Sequence, residues 1–561
     1  MKKVLPVALR VLVSALLISL VFWFTLPPLN IFSSDFWSFL FWSMVIVIVV
    51  NFAGNLLSFV RQLSSGDTVS FRPSVKGSAK SLGLPVLIIL GAIVVMLVFS
   101  LLFNIIGMEL FNASSYRDLI TIQDGNFSED VAELNMSQIP VVDRNTSIAL
   151  GKRKLGEMSD LVSQFEIAAD YTQINYNDVP VRVTPLSYGD IIKWFNNQSE
   201  GIPGYLRVDM TTQEVTLERL EEGIRYSESE YFMRYIHRYL RFKYPTKIFA
   251  DVSFEIDDSG APYWVASTVE YKIGFWSGMD IGGVVLVNAV TGDSEYYDVE
   301  NAPEWIDQVY DSELIIEQLT YNGKYRSGFW NSIFGQKGVL KPTEGYNYIA
   351  LDDDVWLYTG MTSVVSDESN VGFVLVNMRT KETRYYAVPG AEEYSAMDSA
   401  EGQVQHLKYT ATFPLLLNIG NRPTYFMSLK DAAGLVKMYA FVDVQQYQIV
   451  GTGSSVASAQ ADYLEKLKAD GQIVPDRPQD SDTKTLIGVV SGLATAVVDG
   501  NSMYYIRLLA EDGKTYTFSA SIALSSDLPF LQQGDRLEIT QTEDGAMTEL
   551  RILDPLPAQP E

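Results

Sequence analysis

Two segments, VVLVNAVTGDSEYYDV at residues 284–299 and FVLVNMRTKETRYYAV at residues 373–388, carry the clearest structural signal in this chain of 561 residues. They match at 8 of 16 positions with a constant offset of 89 residues. In the first copy Thr291-Gly292-Asp293 supplies the turn of a β-hairpin between two strand-like runs. Lys381 replaces this glycine in the second copy, so we expect a turn of a different or relaxed type there.

Further strand and helix patterns surround these hairpins. A degenerate third copy lies at 440–443, and a strand opening with a tyrosine, at Tyr263, Tyr348 or Tyr425, precedes each copy. Helical runs at 303–319 and 391–407 separate the copies. Because each hairpin needs a partner to bury its apolar face, we predict repeated antiparallel sheet-plus-helix units in two α+β regions. These regions are residues 151–300, with the first copy, and residues 301–453, with the second and third copies.

Two more local patterns precede the first copy. Residues 205–215 are typical of a strand pair joined at 209–212, and residues 229–244 predict a helix that ends before Pro245.

The strand, the run Val-Asn-Ala-x-Thr-Gly-Asp and the returning strand with Tyr296-Tyr297 resemble the PepSY-type hairpin. That family is a small helix-plus-sheet module of bacterial cell-surface proteins and of the propieces of some secreted metallopeptidases. The resemblance covers residues 229–300 and 303–390. It implies a binding or inhibitory module without catalysis.

Three long apolar segments, 4–26, 36–60 and 84–106, open the chain, and each is long enough to cross a hydrocarbon core of roughly 30 Å. A secretory signal peptide is the competing interpretation of the first segment. Lysines and arginines are concentrated at the N-terminal tip and in the connection 61–83, and are absent from 26–35. Because such residues are retained in the cytoplasm, we predict a multi-pass protein of the cell membrane with a cytoplasmic N-terminus and loop 61–83. The region after residue 106 is then extracytoplasmic.

The charge of that region excludes several functions. Residues 1–106 hold seven of the 42 Lys and Arg and two of the 68 Asp and Glu, which leaves 35 basic and 66 acidic side chains and a net charge of −31. A surface of this sign repels polyanions, so we expect no nucleic-acid partner. The absence of cysteine excludes disulfides, thiolate catalysis and cysteine-ligated metals. An exported, cysteine-free protein suits a bacterium with a single membrane.

The remaining segments complete the predicted organisation. Residues 107–150 are polar and weakly periodic, which predicts a stalk or loosely ordered lead-in. Residues 454–484 predict a helix and a linker. Residues 485–561 contain five strand-length runs joined by Gly- and Asp-containing turns, and this pattern resembles an OB-like or SH3-like small β-barrel.

Catalytic motifs are nearly absent. The two histidines, His237 and His406, lie on separate elements, and zincin, nucleophile-elbow and phosphate-loop patterns are missing. Ser481-Asp-Thr-Lys484 fits Ser-x-x-Lys but falls in the linker. Paired carboxylates for glycoside hydrolysis are neither identified nor excluded among so many acids. We predict a non-catalytic protein without a cofactor.

One basic stripe stands out in the acidic body. Arg234, His237, Arg238 and Arg241 fall on one side of the predicted helix 229–244. Their charges either pair with acids such as Glu228 and Glu230 or form a site for an anionic envelope polymer or lipid headgroup.

An acidic run offers candidate metal ligands. Asp352, Asp353 and Asp354, with Asp367 and Glu368 downstream, supply oxygen ligands for a hard cation such as calcium. The run lacks the glycine and terminal glutamate of an EF-hand, so a solvated turn is the alternative interpretation.

The sequence therefore predicts a membrane-anchored α+β protein with three N-terminal transmembrane helices, repeated antiparallel sheet-plus-helix units and a C-terminal small β-barrel. We expect it to bind or scaffold other envelope proteins or wall polymers beside the lipid bilayer. A cell-wall hydrolase and an accessory subunit of a transport or secretion complex are the alternatives. The sequence leaves the oligomeric state open.

Overall fold

The computed structural model describes most of the chain. The described residues are 7–64, 84–131, 139–351, 353–364, 366–472, 484–498, 501–510, 513–521, 528–541 and 547–553.

Three helices open the fold: α1 (Val7–Thr25), α2 (Ser34–Ser64) and α3 (Leu84–Ile106). Two stretches, Ala8–Thr25 and Ile88–Ile106, are long and apolar enough to cross a membrane, and α2 contains a shorter apolar stretch, Ser34–Val50. The predicted spans therefore fall on helices, and two of them have spanning length and composition among the residues searched. Most of the predicted loop 61–83 lies outside the described residues, as do Lys2 and Lys3.

The predicted stalk at 107–150 is wrong for the described residues of that region. It contains α4 (Glu109–Arg117), β1 (Ile122–Asp124), α5 (Phe127–Asp130) and the first half of α6 (Arg144–Gly156). β1 pairs in parallel with residues 383–385, and Tyr116, Ile120 and Phe127 are buried. Single buried apolar residues anchor this polar segment to the body. They are too widely spaced to give a periodic pattern in the sequence.

Four consecutive units of four antiparallel strands form the body, and each unit is followed by a helix. Unit 1 contains β3 (Thr172–Tyr176), β4 (Val179–Tyr188), β5 (Ile202–Asp209) and β6 (Val215–Ile224), with β2 (Phe165–Ile167) also on β4, α7 (Ile191–Asn197) between β4 and β5, and α8 (Ile236–Lys243) after β6. Unit 2 contains β7 (Phe249–Ile256), β8 (Pro262–Ile273), β9 (Ser277–Asn288) and β10 (Ser294–Asp298), followed by α9 (Ser312–Lys324).

The other two units continue the pattern. Unit 3 contains β12 (Asn347–Leu351), β13 (Asp354–Ser363), β14 (Ser366–Asn377) and β15 (Thr383–Tyr386), extended by β11 (Leu340–Pro342) and β16 (Gly390–Ala391) and followed by α10 (Glu393–Gln403). Unit 4 contains β18 (Leu415–Ile419), β19 (Arg422–Lys430), β20 (Val436–Asp443) and β21 (Val450–Gly453), extended by β17 (Thr410–Ala411) and followed by α11 (Val456–Ala469). The predicted mixed α+β class is confirmed, and the body contains many antiparallel sheets with helices between them.

The same side-chain turn closes the third strand of every unit. An Asp or Asn at the strand end accepts backbone hydrogen bonds from the second and third residues that follow it. The acceptors are Asp209, Asn288, Asn377 and Asp443, with Oδ1···N distances between 2.7 and 3.0 Å. The predicted strand pair at 205–215 therefore contains the same turn as the hairpins of the other three units.

The expectation of a different turn at Lys381 is wrong. Lys381 is left-handed with φ 62°, as are Gly292 with φ 78° and Gln213 with φ 65°. The Lys381 ammonium contacts the Asp280 carboxylate at 2.6 Å, and both side chains are largely buried. This ion pair offsets the steric cost of a left-handed side chain, which is about 1 to 2 kcal/mol.

One hydrophobic core runs through units 1 to 4, from Phe127 to Leu467. A second core lies between units 2 and 3 and includes Val284, Val374 and Leu314 of α9. Because the units share these cores, the body is continuous across the predicted boundary at residue 300.

A separate core holds the C-terminal sheet. Its strands confirm the five predicted runs and lie in the order β24-β23-β22-β25-β26. Among the described residues no strand pairing joins β24 to β26, so the sheet is open and the predicted closed small β-barrel is wrong for this part of the chain. The strands are β22 (Lys484–Val498), β23 (Asn501–Ala510), β24 (Thr515–Ser521), β25 (Arg536–Gln541) and β26 (Met547–Leu553).

Candidate functional site

A cavity of about 540 Å³ lies where units 1, 2 and 3 meet. This volume is in the range of small-molecule sites. Its lining includes β3 and β4 of unit 1, β7 and β8 of unit 2, the start of α9 and the start of β12. The polar side chains among the lining residues are Asp143, Arg144, Asn145, Asp170, Tyr171, Thr172, Gln173, Arg182, Glu228, His237, Asp251, Ser253, Ser267, Gln308, Tyr310, Asp311, Ser312, Tyr346, Asn347 and Tyr348.

Arg182 and Gln173 form the buried polar end of this cavity. They are cross-strand neighbours on β4 and β3, and their side chains are 7% and 2% exposed. Arg182 donates from Nη2 to Gln173 Oε1 at 2.9 Å. Arg182 Nε and Gln173 Nε2 are buried without a hydrogen-bond partner. Two donors are therefore left over beside an open volume, an arrangement that native structures rarely leave unexplained.

The local sequence explains why an arginine lies there. On β4, Val181 and Val183 point into the main hydrophobic core, so Arg182 must point to the opposite face. That face borders the cavity. Within the described residues Arg182 has no salt bridge, and burial lowers its pKa to about 10. A guanidinium that is desolvated without an acid partner is an unsatisfied cation.

Carboxylates and His237 form a second, more exposed side of the cavity. Asp170, Glu228 and Asp251 all line it, and His237 Nε2 lies 3.1 Å from Glu228 Oε1. Burial and the negative charges of Glu228 and Asp251 raise the pKa of Asp170, and this rise outweighs the opposing effect of Arg144, which pairs with Asp170 at 3.4 Å. This side therefore favours a positive group.

Two helix N-termini also border the cavity. Asp143 caps α6 through the Thr146 N–H at 2.8 Å, and Asp311 caps α9 through the Glu313 N–H at 3.1 Å. Burial opposes ionisation of Asp143, but hydrogen bonds from Lys430 and Thr146 lower its pKa overall. The Asp143 carboxylate is therefore already bonded to Lys430 and to the N-terminus of α6.

The predicted basic stripe is divided by the fold. The helix begins at Ile236, because Phe232 is left-handed with φ 53° and Tyr235 is extended, so Arg234 lies in a separate 3-10 turn. Arg234 donates to the Gln198 carbonyl at 2.7 Å. His237 lines the cavity, whereas Arg238 and Arg241 are buried on another side of α8.

Arg238 and Arg241 bind the end of α1. Arg241 Nε donates to the Leu26 carbonyl at 2.8 Å, and Arg238 Nη2 donates to the Trp23 carbonyl at 3.3 Å. The Arg238 guanidinium also lies over the Trp23 ring, 4.2 Å from its centroid. Cations at a helix C-terminus are favourable, because the last carbonyls lack intrahelical donors. These arginines fasten the body to α1 and do not form an exposed stripe. Glu230, one of the suggested partners, is instead bonded to Tyr188 and Trp194.

The acidic run at 352–354 contains no free metal site in the described part. Asp352 lies outside the described residues, and nothing is described of the Asp367 and Glu368 side chains. Asp354 is held by Arg379 through two contacts of 2.7 and 2.8 Å, and Asp353 accepts from Asn175 at 3.0 Å. Within the stretches that the structure describes, no group of three or more acids or histidines is arranged to hold a metal.

Sequence reasoning missed Arg182 and Gln173. The available signal was an arginine at the centre of the otherwise apolar run Val-Pro-Val-Arg-Val at 179–183. An arginine inside such a strand indicates a buried charge that needs a partner.

Comparisons with known proteins do not identify a family. No family model matches the chain, and no curated protein matches it. One solved structure it is similar to, an exo-1,5-α-L-arabinanase from a bovine ruminal metagenomic library, shows 9% identity and a TM-score of 0.16, with 69% of this chain and 97% of that chain covered. A TM-score this low supports no argument about fold or activity.

Proposed function

We propose that this chain is a membrane-anchored, extracytoplasmic protein of the cell envelope that binds a small zwitterionic solute, such as an amino acid or a short peptide, in the cavity between units 1, 2 and 3. The observation that carries this proposal is the buried Arg182, whose guanidinium lacks an acid partner among the described residues while it borders an open volume.

The ligand class follows from the two sides of the cavity. Arg182 and Gln173 present unpaired donors that match the oxygens of a carboxylate. Asp170, Glu228 and Asp251 line the more exposed side and match an ammonium group. A molecule that carries both groups satisfies both sides, whereas an anion or a cation alone satisfies one.

Contacts at the ends of α1, α2 and α3 support the membrane anchor. The C-terminal end of α1, the connection to α2 and the C-terminal end of α3 all contact the body. Leu29 N–H donates to the Pro245 carbonyl at 2.7 Å, and Phe103 of α3 stacks on Phe275 with centroids 3.9 Å apart. A bundle of three spans in alternating directions places these ends on one side of a membrane, in accord with the predicted orientation.

The four related units support the proposed kinship with PepSY-type modules, since each combines a four-stranded antiparallel sheet with a helix. The C-terminal sheet of five strands is in this proposal a module that contacts other envelope proteins or wall polymers.

Binding can be tested on the full-length chain in detergent by following its thermal unfolding with single amino acids, alanyl-alanine, acetate and methylamine as probes. We expect one or more zwitterionic probes to raise the unfolding temperature, and acetate and methylamine to have smaller effects. Arg182→Met should abolish the shift. Arg219→Met is the matched control, because Arg219 forms an exposed salt bridge with Asp160 away from the cavity lining.

Two results would contradict the binding proposal: no zwitterion in the panel shifts the unfolding temperature, or Arg182→Met responds as the wild type does.

A further inference from the structure

Apolar side chains remain exposed on the body beside the ends of the N-terminal helices. They form two groups, which we name the α7 lobe and the α4 lobe. The α7 lobe consists of Ile191, Ile192, Phe195, Phe232, Met233 and Phe242. The α4 lobe consists of Met108, Phe111, Trp330, Ile333 and Phe334.

The α7 lobe is continuous with the end of α1. The Phe242 ring packs edge-on against Phe22 and Trp23 of α1, with centroids 5.8 and 6.0 Å apart. Arg238 donates to the Phe232 carbonyl at 2.8 Å and to the Trp23 carbonyl at 3.3 Å, so it joins this lobe to the helix. Phe232 is 63% exposed, and its ring centroid lies 6.0 Å from that of Trp194 on α7.

The α4 lobe is continuous with the end of α3 in the same way. α4 begins at Glu109, and the Glu109 carboxylate accepts hydrogen bonds from Lys324 and Tyr325. From Tyr325 an aromatic series continues through Phe329 and Trp330 to Phe334, with successive centroids 6.2, 5.5 and 5.8 Å apart. Phe334 is 79% exposed and Trp330 is 63% exposed.

The β8–β9 turn also packs on the helix ends. Phe275 stacks on Phe32 of the α1–α2 connection and on Phe103 of α3, at 5.4 and 3.9 Å. Trp276 packs edge-on against Trp37 of α2 and Phe103. Aromatic side chains of the body and of the N-terminal helices therefore pack together where the helix ends meet the body.

We propose, resting on the membrane anchor proposed above, that the α7 and α4 lobes insert into the boundary between headgroups and acyl chains of the bilayer that α1 and α3 would cross. Exposed aromatic and aliphatic side chains are unfavourable in water, and tryptophan and phenylalanine are favourable at this depth of a bilayer. Lipid is the occupant that the structure supports, because both lobes are continuous with helices of spanning composition. The body then contacts the membrane at the α7 lobe, at the α4 lobe and at the helix ends. These three contacts set the orientation of the body and the height of the cavity above the lipid.

The natural absence of cysteine permits a direct test. Single cysteines are introduced by Phe195→Cys, Phe232→Cys and Phe334→Cys in the full chain, labelled with the environment-sensitive dye NBD, and reconstituted at one chain per nanodisc. Quenching is measured in phosphatidylcholine with and without bromine on the acyl chains. Val94→Cys in α3 is the positive control, and Tyr447→Cys in unit 4 is the exposed control outside both lobes.

We expect bromolipid to quench the dye at least twofold at positions 94, 195, 232 and 334, and to leave position 447 unchanged. Quenching at 94 with none at the three lobe positions overturns the proposal. Dye that is shielded at these positions only when nanodiscs hold two chains would assign the lobes to a second copy and also overturn it. Each variant substitutes an exposed side chain, and unchanged thermal unfolding confirms its fold.

Discussion

The carboxylate of Glu255 accepts a hydrogen bond from the backbone N–H of Asp307, with 3.0 Å between Oε2 and N. The Asp307 carboxylate in turn accepts the N–H groups of Asn175 on β3 and Val355 on β13, at 2.6 and 3.2 Å. Both acids are almost fully buried. Two neighbouring buried acids therefore join the backbones of units 1, 2 and 3.

This pair predicts a loss of stability as the pH rises. Burial raises the pKa of Glu255 from 4.5 to about 7, and burial together with the charge of Glu255 raises the pKa of Asp307. Below pH 4.5 the folded and unfolded states both hold the Glu255 proton; between 4.5 and about 7 only the folded state holds it. The free energy of unfolding should therefore fall across this window, by about 3 kcal/mol for Glu255 at roughly 1.4 kcal/mol per pH unit.

Urea unfolding of the wild type and of Glu255→Gln at about pH 5 and about pH 8 measures this dependence. The variant should lose the part of the difference that Glu255 contributes and keep the part that comes from Asp307. An identical difference in both proteins would refute the role of Glu255.

We expect the buried Arg182 to lower the free energy of unfolding of the unliganded protein. Its guanidinium is desolvated without an acid partner in the described part, and hydrophobic replacements of buried charges are often neutral or stabilising by about 1 to 4 kcal/mol. We expect the double variant Gln173→Leu, Arg182→Met to unfold at a higher temperature than the wild type and to bind no zwitterion. Thermal unfolding with and without alanyl-alanine checks both effects. A strongly destabilised double variant would instead assign the two side chains a purely structural role.

Substitutions at Gly292 and Gly434 can distinguish the cost of a left-handed backbone from the cost of steric overlap with a neighbouring side chain. Their φ values are 78° and 77°, but a Cβ at Gly292 would overlap the Tyr226 ring, whereas nothing lies within 4 Å of one at Gly434. Gly434→Ala should lower the free energy of unfolding by about 1 kcal/mol through its left-handed backbone alone. Gly292→Ala should cost about 1 to 3 kcal/mol more through overpacking. Urea unfolding compares them, and equal losses would show that Tyr226 moves away freely.

Arg241 should stabilise the junction between α1 and the body. It donates to the carbonyls of Leu26 and Lys247, and it is largely buried. Arg241→Met leaves both carbonyls without this donor, at about 1 to 3 kcal/mol each for a buried group. We expect faster hydrogen exchange across residues 26–33 and a lower unfolding temperature. Lys243→Met on the same helix is the control, because Lys243 is exposed and should change stability by less than about 0.5 kcal/mol. Equal exchange in both variants would contradict the role of Arg241.

The repeat was readable from the sequence where its turn kept a recognisable pattern. The copies at 284–299 and 373–388 share Val-Asn and Tyr-Tyr, so their hairpins were predicted correctly. The copy at Asp209 was predicted only as a strand pair, because Thr212-Gln213-Glu214 replaces the Thr-Gly-Asp turn of the first copy. The strand that opens at Tyr348 is the first strand of unit 3, whereas Tyr263 and Tyr425 lie on second strands, since β13 intervenes between β12 and β14.

The helix predicted at 229–244 shows a different limit. The helical spacing of apolar residues extends N-terminal to Ile236, where the helix actually begins. Ser227 exchanges backbone hydrogen bonds with Arg234 and Ile236, and these bonds hold the residues before Ile236 in a non-helical conformation. That competition comes from chain geometry that periodicity does not contain.

The sequence alone determined the features that rest on near neighbours: the apolar helices, the hairpins, the five C-terminal strands and the charge of the body. Only the tertiary structure decided which charges lose their water. Arg182 and Gln173 border a cavity whose lining residues are spread along the chain from Asp143 to Phe413, and Arg241 meets Leu26 across 215 residues. Desolvation depends on everything that surrounds a group in space, and alternation along a strand predicts only which side of the strand the group occupies.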